Sequence, residues 1–396
     1  MLLLLAIIYI SFISLGLPDS MIGSIWPSMY EGMKVPISYA GIISMIVAGG
    51  TILSSLLSVR LIRKLGTGLV TAISVAMTAV ALFGFSISNN FIELCIFGIP
   101  LGLGAGSVDA ALNNYVALHY KAKHMSWLHC FWGLGATIGP IIISYSLRSG
   151  HWKLGCRTIS IIQFTLVIIL FLSLPLWKKV SARTEASHSD TMQTHAYSLK
   201  ELIKLPGVKM VLLAFFSYCA IESTTGLWGS SFLVVYKGIK AETAARFVSL
   251  FYFGITFGRF LSGFFTFKLN QRQMVRMGQA VLVVGIGLLM IPGTNTFLLP
   301  GLFLVGLGCA PIFPSLIHET PDNFGAAYSQ SIMGVQMASA YVGTTFMPPL
   351  FGFLASHTSY GLFQFYIAIL LIFMFVMVER LHKVVDKAKK QDHKLA

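Results

Sequence analysis

The chain is predicted to be an all-α membrane protein, with twelve transmembrane helices in two pseudo-symmetric six-helix bundles. Three observations predict it. Of 396 residues, 56% are hydrophobic and only 11% charged, too little charged surface for a water-soluble chain of this size, which argues against a soluble α/β enzyme. Apolar windows of spanning length recur along the chain, six on either side of one long polar stretch. The two halves also repeat. SLGLPDSMIG around Asp19 matches SYCAIESTTG around Glu222 at an offset of 203, and SMIVAGGTILSS from Ser44 matches SLFYFGITFGRF from Ser249 at 205. LGLGA, with Gly102, matches VGLGC, with Gly306, at 204; GATIGP, with Gly135, matches GTTFMP, with Gly343, at 208. Four matches in one order at nearly one spacing indicate duplication. Because each half holds an even number of spans, the copies lie parallel around a central cavity.

In chain order, the first six windows run from Leu2 to Tyr30, Ser38 to Ser58, Leu69 to Ser86, Phe91 to Leu118, Trp127 to Ser146 and Thr158 to Trp177. The opening MLLLLAIIYI has no basic region and no small-residue cleavage site, so it reads as the first span and not a signal peptide. KKVSARTEASHSDTMQTHAYSLKELIKLPG is too polar for lipid and reads as a linker with a short amphipathic piece near Leu199 to Leu205. Six further windows run from Val208 to Tyr236, Ala244 to Phe267, Met274 to Ile291, Phe297 to Ile317, Ser329 to Ser356 and Gly361 to Val378. The expected organisation is an N-terminal bundle (1–177), a cytoplasmic linker (178–207), a C-terminal bundle (208–380) and a basic cytoplasmic tail (381–396).

The net charge of +14 invites a nucleic-acid reading, but the placement of the basic residues argues for a bilayer. With the N-terminus inside, inner loops and tail hold 20 of the 28 Lys and Arg, and outer loops hold seven. Both termini are therefore expected on the cytoplasmic side of the plasma (inner) membrane, with lipid as the surrounding partner and no nucleic acid. The five cysteines stand singly in or beside apolar segments, with neither disulfide nor zinc spacing.

The candidate chemistry lies in a few polar residues inside spans. Gly98, Gly102 and Gly106 make a smooth ridge on the fourth span, and Asp109 and Asn113 continue along that face, away from lipid. An acid at such depth costs at least about 2.5 kcal/mol to insert, and such groups usually pair or line a watery path. Asp109 is the best candidate proton carrier; the alternative is a structural acid holding helices together. Asp19 follows Pro18 near the middle of the first span, where proline and glycine loosen the helix beside protein or water. Glu222 is its repeat partner. Trp26 fits either a sugar stack or an interfacial belt. His129, Trp132, Trp228 and Gln336 complete the expected cavity lining, with Tyr341 and Thr344 as weaker candidates. His129 also fits a satisfied structural role. Arg259, near the inner end of the eighth span, reads as a clamp on helix ends. No HExxH, GxSxG or paired-aspartate motif is present, so an enzyme is not expected.

Several stretches carry a family resemblance: SVRLIRKLGTG and GRFLSG at inter-helix loops, VDAALNNY in the fourth span, LPDSM in the first and LHCFWGLGA in the fifth. Together with the twelve-span plan they resemble the major facilitator superfamily, in its fucose, galactose and glucose proton symporter (fucose permease-like) branch. The resemblance implies that Asp109 holds the protonatable acid position and Asn113 the asparagine after it, and that Asp19 contacts sugar. It puts His129 at a glutamine position and Trp132 at an asparagine position, which removes one expected sugar hydrogen bonder. The inter-helix motif is degenerate, since no acid precedes Arg60.

The expected function is thus proton-coupled symport of a sugar or similar polyhydroxylated solute by alternating access. Asp109, Asp19 and Glu222 would handle protons, and Asp19, Asn113, His129, Trp132, Glu222, Trp228 and Gln336 would bind solute. The expected partners are a small-molecule solute and a proton, the chain is expected to be a monomer, and a proton gradient replaces any cofactor. The rival reading is a proton-driven efflux carrier for amphiphilic compounds, drawn from Trp132, Trp228, Met21, Met333 and Met337. A non-transporting sensor or scaffold is a more remote alternative.

Overall fold

Each predicted span is a helix, and most helices outrun their apolar windows because polar end turns continue the backbone hydrogen bonding into the headgroup region. The computed structural model describes residues 2–120, 122–185, 199–265, 268–293 and 295–395. Lys121, residues 186–198 of the expected linker, Phe267 and Ala396 lie outside the described residues.

The first half comprises α1 (Leu2–Asp19, continued after Ser20 by Met21–Met29), α2 (Ala40–Leu65), α3 (Thr67–Ile87), α4 (Phe91–His119), α5 (Ala122–Arg148) and α6 (Trp152–Glu185). The second comprises α7 (Val208–Ser231, extended by the wider turn Phe232–Tyr236), α8 (Ala241–Phe265), α9 (Gln271–Met290), α10 (Leu298–Cys309, continued by Ile312–His318), α11 (Ala326–His357) and α12 (Phe363–Leu395). Among the described residues eleven helices are long and apolar enough to cross a membrane. The exception, α11, has 32 residues, but Ser, Thr, Gln and Tyr along it lower its hydropathy.

Local chemistry explains the breaks. α1 is interrupted at Ser20, one residue after Asp19; within it Pro18 has no N–H for the Ser14 carbonyl, and the Gln163 side chain donates there instead at 2.8 Å. Pro311 lies in the break between the two pieces of α10, which the apolar window did not reveal. Gly66 turns the chain between α2 and α3 with φ of 78°, a conformation that costs glycine nothing. Asn90 caps α4 by accepting from the Glu93 N–H at 3.0 Å, and Asn270 and Gln273 form a reciprocal capping box at the start of α9.

The duplication is visible as matched helix contacts. A Cβ on Gly102 of α4 would collide with the Val47 carbonyl of α2, and one on Gly306 of α10 with the Phe251 carbonyl of α8. Val47 and Phe251 are separated by the same 204 residues as the two glycines. Likewise Gly135 of α5 lies against the Ile13 carbonyl of α1, and Gly343 of α11 against the Phe216 carbonyl of α7. The repeating glycines are therefore where paired helices approach backbone to backbone. Gly135→Val should overpack this contact at a cost of about 1–3 kcal/mol, read as a lower melting temperature in detergent. Gly49→Ala, which meets nothing within 4 Å, should leave it unchanged.

The tail differs from expectation. α12 runs unbroken to Leu395, and Leu381, His382 and Val385 are buried with Leu202, Val208 and Ile332. Its amphipathic extension packs on the second half, anchored by Arg272–Asp386 at 2.8 Å and Arg276–Glu379 at 2.8 Å. The residues from 381 to 385 are thus packed structure and not a free tail. The amphipathic piece of the linker is the short helix Leu199–Leu202, whose Leu202 joins the same cluster.

The halves meet along α5 and α8, along α2 and α11, and where the second piece of α1 packs on α7. The first piece of α1 packs instead on α5 and α6 of its own half. At the end remote from the termini the seal is tight. Met21 to Pro27 and Thr224 to Leu233 are buried without interruption, Gly41 lies on Pro349, and Ser144 donates to the Glu242 carbonyl at 2.7 Å. The space between the halves is closed at that end and opens toward the side of the termini.

Candidate functional site

Asp19 is exposed although it sits in mid-span, and it is within electrostatic range of Asp109 on α4 and Glu222 on α7. A carboxylate surrounded by helices from both halves and still accessible faces a hollow between them. The interruption after Pro18 places it there. The Trp132 indole N–H on α5 donates to Asp19 Oδ2 at 2.8 Å, and the backbones are held this close because Gly16 rests on the Trp132 carbonyl.

Asp109 is half-buried. The Asn113 side-chain amide donates to its Oδ1 at 2.9 Å and to its backbone carbonyl at 2.9 Å. That leaves the Asn113 carbonyl oxygen free to accept from a solute hydroxyl. Asn114, one residue on, is exposed. His129 meets Phe12 edge-on with ring centroids 5.9 Å apart and lies near Arg259. Tyr341 on α11 is close to Asp109 and faces Ser55 across the seam between halves, while Thr344 lies beside Cys219.

On the other side of the hollow, Glu222 is half-buried and accepts a hydrogen bond from Tyr218, one turn before it on α7. Arg259 of α8 is within electrostatic range of Tyr218 and Glu222, and its guanidinium lies over the Trp132 ring, 5.2 Å from its centroid. Arg259 is therefore a central residue and not a clamp on helix ends. Asp19, Trp132, Arg259, Tyr218 and Glu222 form one continuous chain of contacts from the first half to the second. Sequence reasoning missed Arg259 by counting its distance from the end of a span, and missed Tyr218 despite its helical i, i+4 spacing to Glu222.

Three expected residues do not reach the hollow. Trp228 is fully buried; its N–H donates to the Pro348 carbonyl at 2.7 Å and its ring packs on Phe351 and Tyr360. It belongs to the sealed end, two turns beyond Glu222. Gln336 is fully buried and accepts from the Thr320 hydroxyl at 3.1 Å, which turns it into the second bundle. Trp26 neither stacks on a solute nor belts the interface: it is buried in the seal and donates to the Ile37 carbonyl.

The arrangement offers carboxylates to accept from hydroxyls, an indole and a guanidinium, brought together between the two halves. Trp132→Phe would remove a neutral donor to a carboxylate, a bond worth about 1.5–3 kcal/mol. The expected result is at least about tenfold weaker binding of a solute held by Asp19, read by titration of the purified protein.

Comparison with known proteins agrees with the fold. A family model described as Major Facilitator Superfamily matches residues 8–337 and 247–395. The chain is 26% identical over 386 residues to the Saccharomyces cerevisiae protein named Bypass of stop codon protein 6, covering 88% of this chain and 76% of that one. It is 23% identical over 348 residues to the Bacillus subtilis glucose/mannose transporter GlcP, covering 87% and 86%. The crystal structure of the nucleoside transporter NupG superposes with a TM-score of 0.74 at 16% identity, covering 97% of this chain and 99% of that one. With the two-bundle helical fold and a family match that spans nearly its whole length, the chain belongs to the Major Facilitator Superfamily, as an integral membrane transporter and not an enzyme.

Proposed function

We propose that the chain is a proton-coupled symporter for a sugar or similar polyhydroxylated solute, working by alternating access with both termini cytoplasmic in the plasma membrane. The observation that carries this reading is the exposed mid-span Asp19 sharing a hollow with Asp109 and Glu222. Acids so placed accept from solute hydroxyls and exchange protons with whichever side has access. Asp109 is the coupling acid, with Asp19 and Glu222 also taking part. Asp19, Asn113, His129, Trp132 and Glu222 bind solute. The kinship with a glucose/mannose transporter supports a sugar as cargo. The efflux reading loses part of its basis, since Met21 and Trp228 are packed in the core and cannot line a cavity for amphiphiles.

The test is uptake of D-glucose and D-mannose by proteoliposomes under an imposed pH gradient. Symport predicts sugar moving with the proton and accumulating. Movement against the proton identifies an exchanger, and binding without flux identifies a sensor; either rejects the proposal.

A further inference from the structure

Arg259 is a cation inside the transporter with no carboxylate at ion-pair distance among the described residues; the ion pairs there are Arg272–Asp386, Arg276–Glu379 and His382–Glu319. It has two anionic neighbourhoods instead. On its own half it faces Tyr218 and Glu222, which are hydrogen-bonded to each other. On the other half its guanidinium sits over Trp132, 5.2 Å from the ring centroid, the ring whose N–H holds Asp19. A guanidinium is permanently charged and keeps its in-plane donors available when one face rests on an aromatic ring. It will therefore follow whichever carboxylate carries the negative charge.

We propose that Arg259 is a positioning residue that shifts from the Glu222 side to the Asp19 side when Glu222 takes up a proton. In the step, water delivers one proton to the Glu222 carboxylate, and Arg259 stays protonated throughout. Tyr218 then has no anion to donate to. The guanidinium loses its counter-charge in the second half and pairs with Asp19 in the first, sliding off the Trp132 face toward the carboxylate. Since Arg259 is on α8 and Trp132 on α5, the step changes contacts along the seam where the halves must move. It also draws Asp19 away from solute hydroxyls, which ties proton binding to solute release. This last consequence rests on the symport reading; the movement of Arg259 does not.

The groups facing Arg259 and Glu222 come from several helices. Tyr218 and Cys219 lie on α7, Tyr252 on α8, Cys309 on α10, and His129 and Cys130 on α5. Asp19 lies close to Glu222, and Asp109 close to Asp19. Phenols and thiols are ordinarily uncharged at neutral pH, so His129, Asp19 and Asp109 are the groups whose titration competes with that of Glu222.

Trp132 is the reporter. Its emission, taken as the full-length wild-type protein in detergent minus the Trp132→Phe variant, is followed from acid to alkaline pH with no solute present. The expected result is a single pH-dependent change, lost in Glu222→Gln and in Arg259→Gln and retained in His129→Gln and Asp109→Asn. Arg259→Lys, which keeps the charge but not the planar fork, should reduce the amplitude without moving the midpoint, and it serves if Arg259→Gln does not fold. A flat wild-type signal, or a change that survives Glu222→Gln or disappears with His129→Gln, overturns the proposal. These outcomes are independent of D-glucose uptake, so failure here leaves the symport reading standing, and failure of uptake leaves the movement of Arg259 standing.

Discussion

Replacing Asp109 by Asn should abolish uphill accumulation of sugar while leaving exchange across the membrane largely intact. The amide keeps the size and shape of the carboxyl and can still accept the Asn113 N–H that reaches Asp109 Oδ1 at 2.9 Å. It cannot carry a proton. Each unit of pH gradient is worth about 1.4 kcal/mol per proton, or about tenfold accumulation for a one-proton symporter. The variant's inside-to-outside ratio should therefore fall to about one, since nothing then links solute to the gradient. Counterflow of labelled against unlabelled D-glucose should stay close to wild type. If the Asn variant concentrates sugar normally, Asp109 is not the coupling acid and the role passes to Asp19 or Glu222.

The twelve helices were legible because hydrophobic length is imposed by the bilayer, and the pairing of halves because glycines at backbone contacts cannot be replaced without pushing helices apart. Gly102 with Gly306 and Gly135 with Gly343 were read as a repeat and prove to be matched contact points. The hollow was legible through the isolated acids Asp19, Asp109 and Glu222, which lipid would not tolerate. What the sequence did not carry is which end of the cavity is closed. Trp228 was expected to line it because it follows Glu222 on the same helix, yet α7 is buried from Thr224 to Leu233 and Trp228 lies inside the seal. Arg259 was misread for a related reason. Depth counted along one helix ignores the partner packed against it, and α8 lies on α5 so that Arg259 meets Trp132. The signal that would have found it is general: an ionisable group within a span is a functional candidate before it is a structural one.

Removing His382 should be among the most destabilising single changes away from the hollow. Its Nε2 lies 3.3 Å from Glu319 Oε2, and both side chains are nearly inaccessible, at 4% and 5%. Among the described residues that carboxylate has one further side-chain hydrogen bond, from Asn323 at 3.3 Å, and Glu319 Oε1 and His382 Nδ1 have no partner. Breaking one member of a buried pair leaves the other desolvated and uncompensated, at a cost of about 3 kcal/mol or more, whereas replacing both by apolar groups of similar volume is often neutral. His382→Ala should therefore lower the melting temperature in detergent strongly, and Glu319→Leu combined with His382→Leu should recover most of the loss. The pair joins the far end of α12 to the short helix Thr320–Phe324 that follows α10, beside the Arg272 and Arg276 ion pairs to α9. Together these contacts hold the terminus side of the second bundle as one body. A rocking transporter needs that rigidity: the movement must fall at the α5–α8 and α2–α11 seams and not within a bundle. If His382→Ala melts like wild type, the pair does not hold that end together, and the rigidity must come from Leu202, Val208, Leu381 and Val385 alone.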